Sequence, residues 1–161
     1  MQQDTDWLAD LSRYPSPRPF LKEQSIWAVW VYRLGRRIER RPQGLWKSIM
    51  TMVYWLLFRL VETLLATSVP RSASIGPGLR IWHFGGIFIH PNSVIGANCT
   101  LRQGVTIGNR HDGGPTPVIG NDVDFGAYAQ LRAYVPCSFR TQRAGKGRRT
   151  TSTLCAVPVR S

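Results

Sequence analysis

Three histidines are the side chains of this sequence best suited to proton transfer, and all lie in residues 83–111: His83, His90 and His111. Imidazole gains and loses a proton near neutral pH, which suits a general base that acts on a hydroxyl group. Two glycines follow His83 and Phe84, so we expect an exposed corner of the backbone there. His83 is therefore a candidate catalytic base. The alternative is a surface imidazole that only hydrogen-bonds to a neighbour.

Polar residues also concentrate in segment 109–115, which reads Asn-Arg-His-Asp-Gly-Gly-Pro. Loops on a rigid scaffold often carry binding residues, and this one combines a cation, an imidazole and a carboxylate. We take His111 as a second catalytic candidate, and Arg110 and Asp112 as substrate-binding candidates; the alternative is a solvated loop. His90 precedes a Pro-Asn pair and is interpreted as structural at a turn.

A six-residue repeat in the sequence indicates which structural element would position these groups. An aliphatic or aromatic residue recurs every six positions, often followed by glycine, with a small or medium side chain two residues earlier. This period suits neither an α-helix nor a hairpin strand, and it predicts a parallel β-helix whose short strands end at corners. The repeat positions are Ile75, Ile81 and Ile87, then Ile95, Leu101 and Ile107 after a two-residue slip, then Ile119, Phe125 and Leu131 after a loop.

Two helices are predicted before the repeat. The first begins at Ser25 and is broken by the Pro-Gln-Gly at 42–44, and the second runs from about Leu45 to Thr67. Prolines at 15, 17 and 19 predict an extended lead-in. We therefore predict an α+β chain with an extended lead-in (1–22), a helical region (23–70), a hexapeptide β-helix (71–131) and an atypical basic tail (132–161).

The second predicted helix raises the question of a membrane. Its 23 residues would reach roughly 35 Å at ~1.5 Å per residue, long enough to cross a bilayer. Arg59 and Glu62 interrupt it, and a central Arg costs about 2.5–3.5 kcal/mol on insertion. We expect a buried helix that packs on its partner helix and on a neighbouring subunit. Association with a membrane surface through residues 36–41 and exposed tryptophans is the alternative.

The charge is concentrated at the end of the sequence. The formal net charge is +12, and residues 132–161 contain seven Lys or Arg and no acidic residue. Their polar composition predicts an irregular tail, either strongly diverged or read out of frame. Nucleic-acid binding would fit the charge, but no motif supports it. No signal peptide is recognised at residues 1–19, so we expect a cytoplasmic protein.

Three cysteines without paired spacing argue against a disulfide framework or a zinc site. Cys99 occupies one of the positions two residues before a repeat residue. We therefore interpret it as a packing residue rather than a reactive thiol.

The motifs Ile-Phe-Ile-His-Pro (87–91), Gly-Val-Thr-Ile-Gly-Asn-Arg (104–110) and Pro-Val-Ile-Gly-Asn (117–121) resemble the serine O-acetyltransferase family of hexapeptide-repeat acyltransferases. The resemblance covers residues 25–131 and is strongest to a shorter branch associated with exopolysaccharide or colanic-acid synthesis. It implies a left-handed β-helix, a homotrimer with active sites between subunits, and acetyl-CoA as donor.

Within this resemblance, His83 falls on the family's catalytic base. Trp82 stands where the family has an aspartate that helps to hold the amino group of the substrate. The family's Arg-His-Pro motif aligns with Pro-Thr-Pro at 115–117, and Arg110-His111 would supply its first two residues only out of register.

The resemblance also implies where coenzyme A would bind. Glycines and the 109–114 loop would border its channel, and Arg102 or Arg110 would meet its phosphates. The cofactor-binding candidates are Arg102, Gly104, Gly108, Asn109, Gly113 and Gly114, and no metal is expected.

Acetyl transfer to the L-serine hydroxyl, a step of cysteine biosynthesis, is the activity that the resemblance implies. Two alternatives remain. One is acetyl transfer to a sugar hydroxyl, favoured by Trp82 because aromatic faces pack against sugar rings. The other is a non-catalytic protein that lacks the final coils of the β-helix.

Overall fold

The computed structural model describes residues 2–16, 18–109 and 113–131. Four helices precede the strands, and within the described residues there are nine short strands. The helices are α1 (Gln2–Ser12), α2 (Pro19–Lys22), α3 (Ser25–Glu39) and α4 (Leu45–Leu65). The strands are β1 (Thr67–Ser68), β2 (Ser74–Ile75), β3 (Arg80–Ile81), β4 (Ile87–Ile89), β5 (Val94–Ile95), β6 (Thr100–Leu101), β7 (Thr106–Ile107), β8 (Val118–Ile119) and β9 (Gln130–Leu131).

The strands stack in parallel and form three faces of a prism. One face has the order β1-β4-β7-β9, the second β2-β5-β8 and the third β3-β6. Repeat residues lie above one another, so that Ile75 pairs with Ile95, and Ile95 pairs with Ile119. Their side chains are buried with the small residues that precede them, including Cys99 and Val105. The predicted fold class, helices followed by a parallel β-helix, is confirmed.

The two-residue slip in the repeat lies at a different place from the predicted one. Ile81 pairs with Leu101, 20 residues later, whereas Ile89 pairs with Ile107, 18 residues later. The two extra residues therefore fall between Ile81 and Ile89, and the prediction that the slip follows Ile87 is wrong. Ile87 and Ile89 are both buried, so composition alone could not decide which one continues the repeat. As a result, the corner that carries His83 is lengthened.

The predicted extended lead-in is also wrong, because its first half is helix α1. The prolines come after α1, and Pro19 itself opens α2, a position that proline tolerates. Helix α1 is fixed to the rest of the chain through Asp10. The Asp10 carboxylate pairs with Arg33 at 2.7 Å and accepts the Leu79 amide proton at 2.7 Å.

Helix α3 connects the helical region to the first coil of the β-helix. The Tyr32 hydroxyl donates to the Ala73 carbonyl at 2.9 Å and accepts the Ile75 amide proton at 3.0 Å. Helices α3 and α4 approach closely at Gly35, where a Cβ would lie 2.5 Å from the Tyr54 ring. Both helices occupy the predicted positions. The β-helix begins at Thr67, earlier than the predicted residue 71, because Ala66 leaves the helical conformation with a φ of 45°.

Helix α4 is less buried than expected. Only Tyr54 and Phe58 are buried within it, and they face α3. By length and composition α4 is long and apolar enough to cross a membrane. Of its most apolar stretch of 18 residues, 11% is buried. The expectation of a buried helix therefore holds for one of its faces. The irregular tail predicted at 132–161 lies outside the described residues.

Candidate functional site

His83 lies on the lengthened corner between β3 and β4. Its side chain is exposed and lines an open pocket of about 530 Å³. Gly85 and Gly86 have φ values of 109° and 67°, a backbone conformation that other residues rarely adopt. This turn carries the imidazole to the surface, as the sequence predicted. The pocket is lined by Lys22, Glu23, Gln24, Ser25, Arg80, Trp82, His83 and Phe84.

Trp82 lines this pocket and contacts two arginines. The Arg80 guanidinium carbon lies 4.3 Å from the centroid of the Trp82 ring, and that of Arg102 lies at 5.6 Å. The His83 ring lies at 6.2 Å from Trp82, with an angle of 63° between the planes. Arg102 also pairs with Asp124 at 3.6 Å. Trp82 is 47% exposed, so it presents an aromatic surface directly beside the candidate base.

The pocket contains groups of both charges from two parts of the chain. Lys22 and Glu23 come from the segment before α3, and Arg80 comes from β3. The Arg80 Nε atom is buried and has no hydrogen-bond partner among the described residues. Below it, the Tyr14 hydroxyl accepts the Ile81 amide proton at 3.2 Å. Burial raises the pKa of Tyr14, which keeps this hydroxyl protonated.

Gly104 lies one coil below the His83 corner. Its amide donates to the Gly85 carbonyl at 2.8 Å, and its φ is 72°. A Cβ at this position would collide with the Tyr128 ring, so the close approach of Tyr128 requires glycine. Tyr128 is 72% exposed and was not predicted as a site residue. An exposed aromatic residue in a hexapeptide corner is the signal that could have identified it.

The remaining cofactor candidates lie at another corner. Gly108 follows β7, and its amide donates to the Leu131 carbonyl at 2.9 Å. Gly113 is exposed with a φ of 73°, and a Cβ on either Gly108 or Gly113 would meet open space. Asn109 and Gly114 are partly exposed in the same loop. Arg102 and Gly104 therefore lie near the corner that carries His83, and strand β7 separates them from this loop.

The other three loop candidates, Arg110, His111 and Asp112, lie outside the described residues. Within the described part of the chain, no group of three or more His, Cys, Asp or Glu side chains could hold a metal ion.

His90 and Cys99 have the structural roles predicted for them. His90 Nδ1 accepts the Asn92 amide proton at 3.2 Å, which closes the turn. Cys99 is fully buried, and its thiol lies 3.4 Å from the Gly120 carbonyl oxygen. Burial raises the pKa of the Cys99 thiol, so little reactive thiolate forms.

Two relatives identify the proteins that the chain resembles. It is 36% identical over 85 residues to the putative colanic acid biosynthesis acetyltransferase WcaB of Escherichia coli K12. The aligned residues make up 52% of this chain and 51% of WcaB. It is 33% identical over 96 residues to the chloroplastic serine acetyltransferase 1 of Arabidopsis thaliana. Here the aligned residues make up 58% of this chain and 31% of that protein. The chain thus spans about half the length of WcaB.

The structural comparison points to the same proteins. A serine acetyltransferase solved in complex with CoA superposes with a TM-score of 0.60 at 25% identity, over 80% of this chain and 52% of that one. The resemblance to the serine acetyltransferases is confirmed. No protein-family model matches the chain.

Proposed function

We propose that this chain is an acetyl-CoA-dependent O-acetyltransferase in which His83 is the general base. The observation that carries the proposal is the exposed His83 imidazole on a lengthened β-helix corner, where it lines a pocket of about 530 Å³. The similarity to serine acetyltransferases and to WcaB supports the reaction class.

The proposed reaction needs one proton acceptor and no covalent enzyme intermediate. The His83 imidazole takes the proton of the acceptor hydroxyl as its oxygen attacks the carbonyl carbon of the acetyl thioester. The tetrahedral intermediate then collapses, the carbon–sulfur bond breaks, and the imidazolium returns the proton to the sulfur of coenzyme A. A backbone amide at the corner would stabilise the oxyanion.

Acetyl-CoA is the proposed donor because a structurally similar serine acetyltransferase was solved in complex with CoA. Arg102 supplies a cation for its phosphates one coil below Trp82, where the Arg102 side chain pairs with Asp124 and is 42% exposed. The loop at Gly108 and Gly113 offers open backbone against which the elongated cofactor could lie. Because strand β7 separates this loop from His83, we assign the loop to the donor channel of a site shared between subunits.

Serine and a sugar are both candidate acceptors, and the pocket favours the sugar. The Trp82 ring gives a flat apolar surface beside His83, whereas a serine site of the kind that the family resemblance implies would need a carboxylate there to hold the amino group. Glu23 also lines this pocket, but it comes from the segment before α3, whereas the aspartate that the resemblance implies would stand at position 82. The polar side chains of Lys22 and Gln24 can hydrogen-bond to sugar hydroxyls.

We also propose a homotrimer. Phe88, Val94 and Val118 are each 42–49% exposed on two adjacent faces of the β-helix. Apolar residues on a rigid sheet face indicate contact with another subunit.

The proposed function is tested by release of the CoA thiol from acetyl-CoA, with L-serine and with nucleotide sugars offered as acceptors. We expect His83→Ala to lower turnover by about 10²–10⁴-fold. His90→Ala, which removes a histidine from a neighbouring corner, should retain turnover within a few-fold. Near-native turnover in folded His83→Ala would disprove the mechanism. Wild-type protein that binds no acetyl-CoA would instead favour the non-catalytic alternative.

A further inference from the structure

Helix α4 has two apolar faces, and the described chain covers only one of them. Tyr54 and Phe58 pack toward α3 with Leu57 and Val61 beside them. On the opposite side, seven apolar residues fall within an arc of about 120° when the helix is viewed along its axis. They are between 40% and 80% exposed, and we call them the α4 stripe: Leu45, Ile49, Met52, Val53, Leu56, Leu60 and Leu64.

A cluster of cations lies at the N-terminal end of the α4 stripe. Residues 36–47 contain five Lys or Arg and one Glu, a net charge of +4. Lys47 Nζ donates to the Glu39 and Arg41 carbonyl oxygens at 3.2 and 3.0 Å, which holds the end of α3 against the start of α4. The cations therefore stay beside the first turn of the stripe.

A small pocket joins the cations to the apolar surface. It has a volume of about 150 Å³ and combines the side chains of Trp46 and Met50 with those of Arg37, Arg41 and Lys47. Trp46 is 67% exposed at the edge of the stripe. Tryptophan at such an edge and cations beyond it are the arrangement of helices that lie in the interface of a membrane.

Contacts on the buried side of α4 indicate that the helix would lie on a bilayer rather than cross it. The Tyr54 hydroxyl accepts the Arg71 amide proton at 3.1 Å, and the Arg71 guanidinium lies 5.1 Å from the Tyr54 ring. Crossing would strip α4 from α3 or bring these polar groups into hydrocarbon, which is costly. On the flank, the Arg59–Glu62 pair at 3.2 Å could remain at the level of the headgroups.

We propose that the α4 stripe docks on the surface of an anionic lipid bilayer. Its apolar side chains enter the boundary between headgroups and acyl chains, and the cations at 36–47 bind the lipid phosphates. Charge complementarity selects this occupant over a second copy of the chain, because another α4 stripe would bring apolar surface but no anions. The inference is independent of the proposed acetyl transfer.

Co-sedimentation of the full chain with lipid vesicles tests the proposal. We expect binding to vesicles of equal parts phosphatidylcholine and phosphatidylglycerol, weaker binding at high salt, and little binding to pure phosphatidylcholine. Leu56→Glu should lower the bound fraction at least about tenfold. Leu8→Glu is the matched control, because Leu8 on α1 is 61% exposed and Leu56 is 63% exposed. Arg40→Glu with Arg41→Glu should weaken binding without changing near-ultraviolet circular dichroism.

Three results would overturn the proposal. The first is a wild-type chain that does not sediment with the anionic vesicles at low salt. The second is a Leu56→Glu variant that binds as well as Leu8→Glu, since binding would then come from elsewhere, for instance the basic residues 132–161. The third is a wild-type chain that does not bind vesicles but forms an oligomer, together with a Leu56→Glu variant in which that oligomer dissociates. This result would show that the stripe joins copies of the chain.

Discussion

Trp82 defines the chemistry of the candidate site at the scale of single residues. The guanidinium carbons of Arg80 and Arg102 lie 4.3 and 5.6 Å from the centroid of its ring, and the side chain keeps nearly half of its surface exposed. Such contacts are worth about 0.5–1 kcal/mol each at exposed sites. The ring is therefore held in place while nearly half of its surface remains available to an acceptor beside His83.

This arrangement predicts that Trp82 selects the acceptor. Trp82→Asp should lower acetyl transfer to a sugar by about tenfold or more, since roughly 1.4 kcal/mol of lost binding corresponds to that factor. Relative use of serine should rise, because a carboxylate beside His83 can pair with its amino group. Trp82→Phe, which keeps an aromatic face, is the control. The kcat/KM ratio for the two acceptors measures the effect, and an unchanged ratio in Trp82→Asp would contradict the role.

Some single residues of the site could be predicted from the sequence and others could not. His83 and Cys99 were predictable because each belongs to a local pattern, a glycine-rich corner or a repeat slot. Arg80 and Tyr128 were not, because their roles come from neighbours on other coils. Arg80 stacks on Trp82 and has a buried Nε, and Tyr128 covers Gly104. Contacts between coils appear only once the register of the repeat is known.

At the scale of elements, the buried ion pair between Asp10 and Arg33 holds α1 and α3 on the first coil. Burial raises the pKa of Asp10, although Arg33 and the Leu79 amide oppose the shift. Arg33 also donates to the Ile75 and Gly76 carbonyl oxygens at 3.0 and 2.7 Å. The pair therefore closes the open end of the β-helix, a role that the extended lead-in predicted from the sequence would not have had.

Loss of Arg33 should be costly because it would leave the Asp10 carboxylate buried without a cation. Arg33→Met should lower the unfolding free energy by about 3–5 kcal/mol, and Arg33→Met with Asp10→Leu should recover most of it. In the single variant, stability should fall further as pH rises above about 4, since a carboxyl with a raised pKa folds best when protonated. Urea unfolding measures these changes. Arg40→Met, at an exposed position, should stay within about 0.5 kcal/mol, and a similar loss there would refute the role of the pair.

Elements were predictable where one periodicity extends over many residues. The repeat and the two long helices met this condition, whereas α1 was missed because the nearby prolines dominated the local signal. The position of the slip was missed because Ile87 and Ile89 are alternative repeat residues of the same type. That position decides the length of the His83 corner, so the error affected the site more than the fold.

At the scale of the whole molecule, groups of exposed apolar side chains lie on the faces of the β-helix and on α4. Val94 and Val118 pair on adjacent coils, and Phe88 lies on the next face. The α4 stripe is separate from these three residues, and a cluster of cations lies at one end of it. We therefore assign the β-helix surface to contacts between subunits and the α4 stripe to lipid.

This assignment predicts that oligomerisation and vesicle binding can be separated by mutation. Sedimentation equilibrium of the wild type should give three times the 18.2 kDa of one chain. Val94→Lys should shift the equilibrium to the monomer, because like charges from neighbouring subunits would meet where apolar side chains now pack. Leu8→Lys, which changes an exposed leucine away from the coils, should leave the trimer intact. Acetyl transfer should fall with the trimer, since we propose a site that is shared between subunits. A wild-type chain that is monomeric and fully active would refute both the trimer and the shared site.

The same variant separates the two surfaces. Vesicle binding by monomeric Val94→Lys would show that the α4 stripe acts within a single chain.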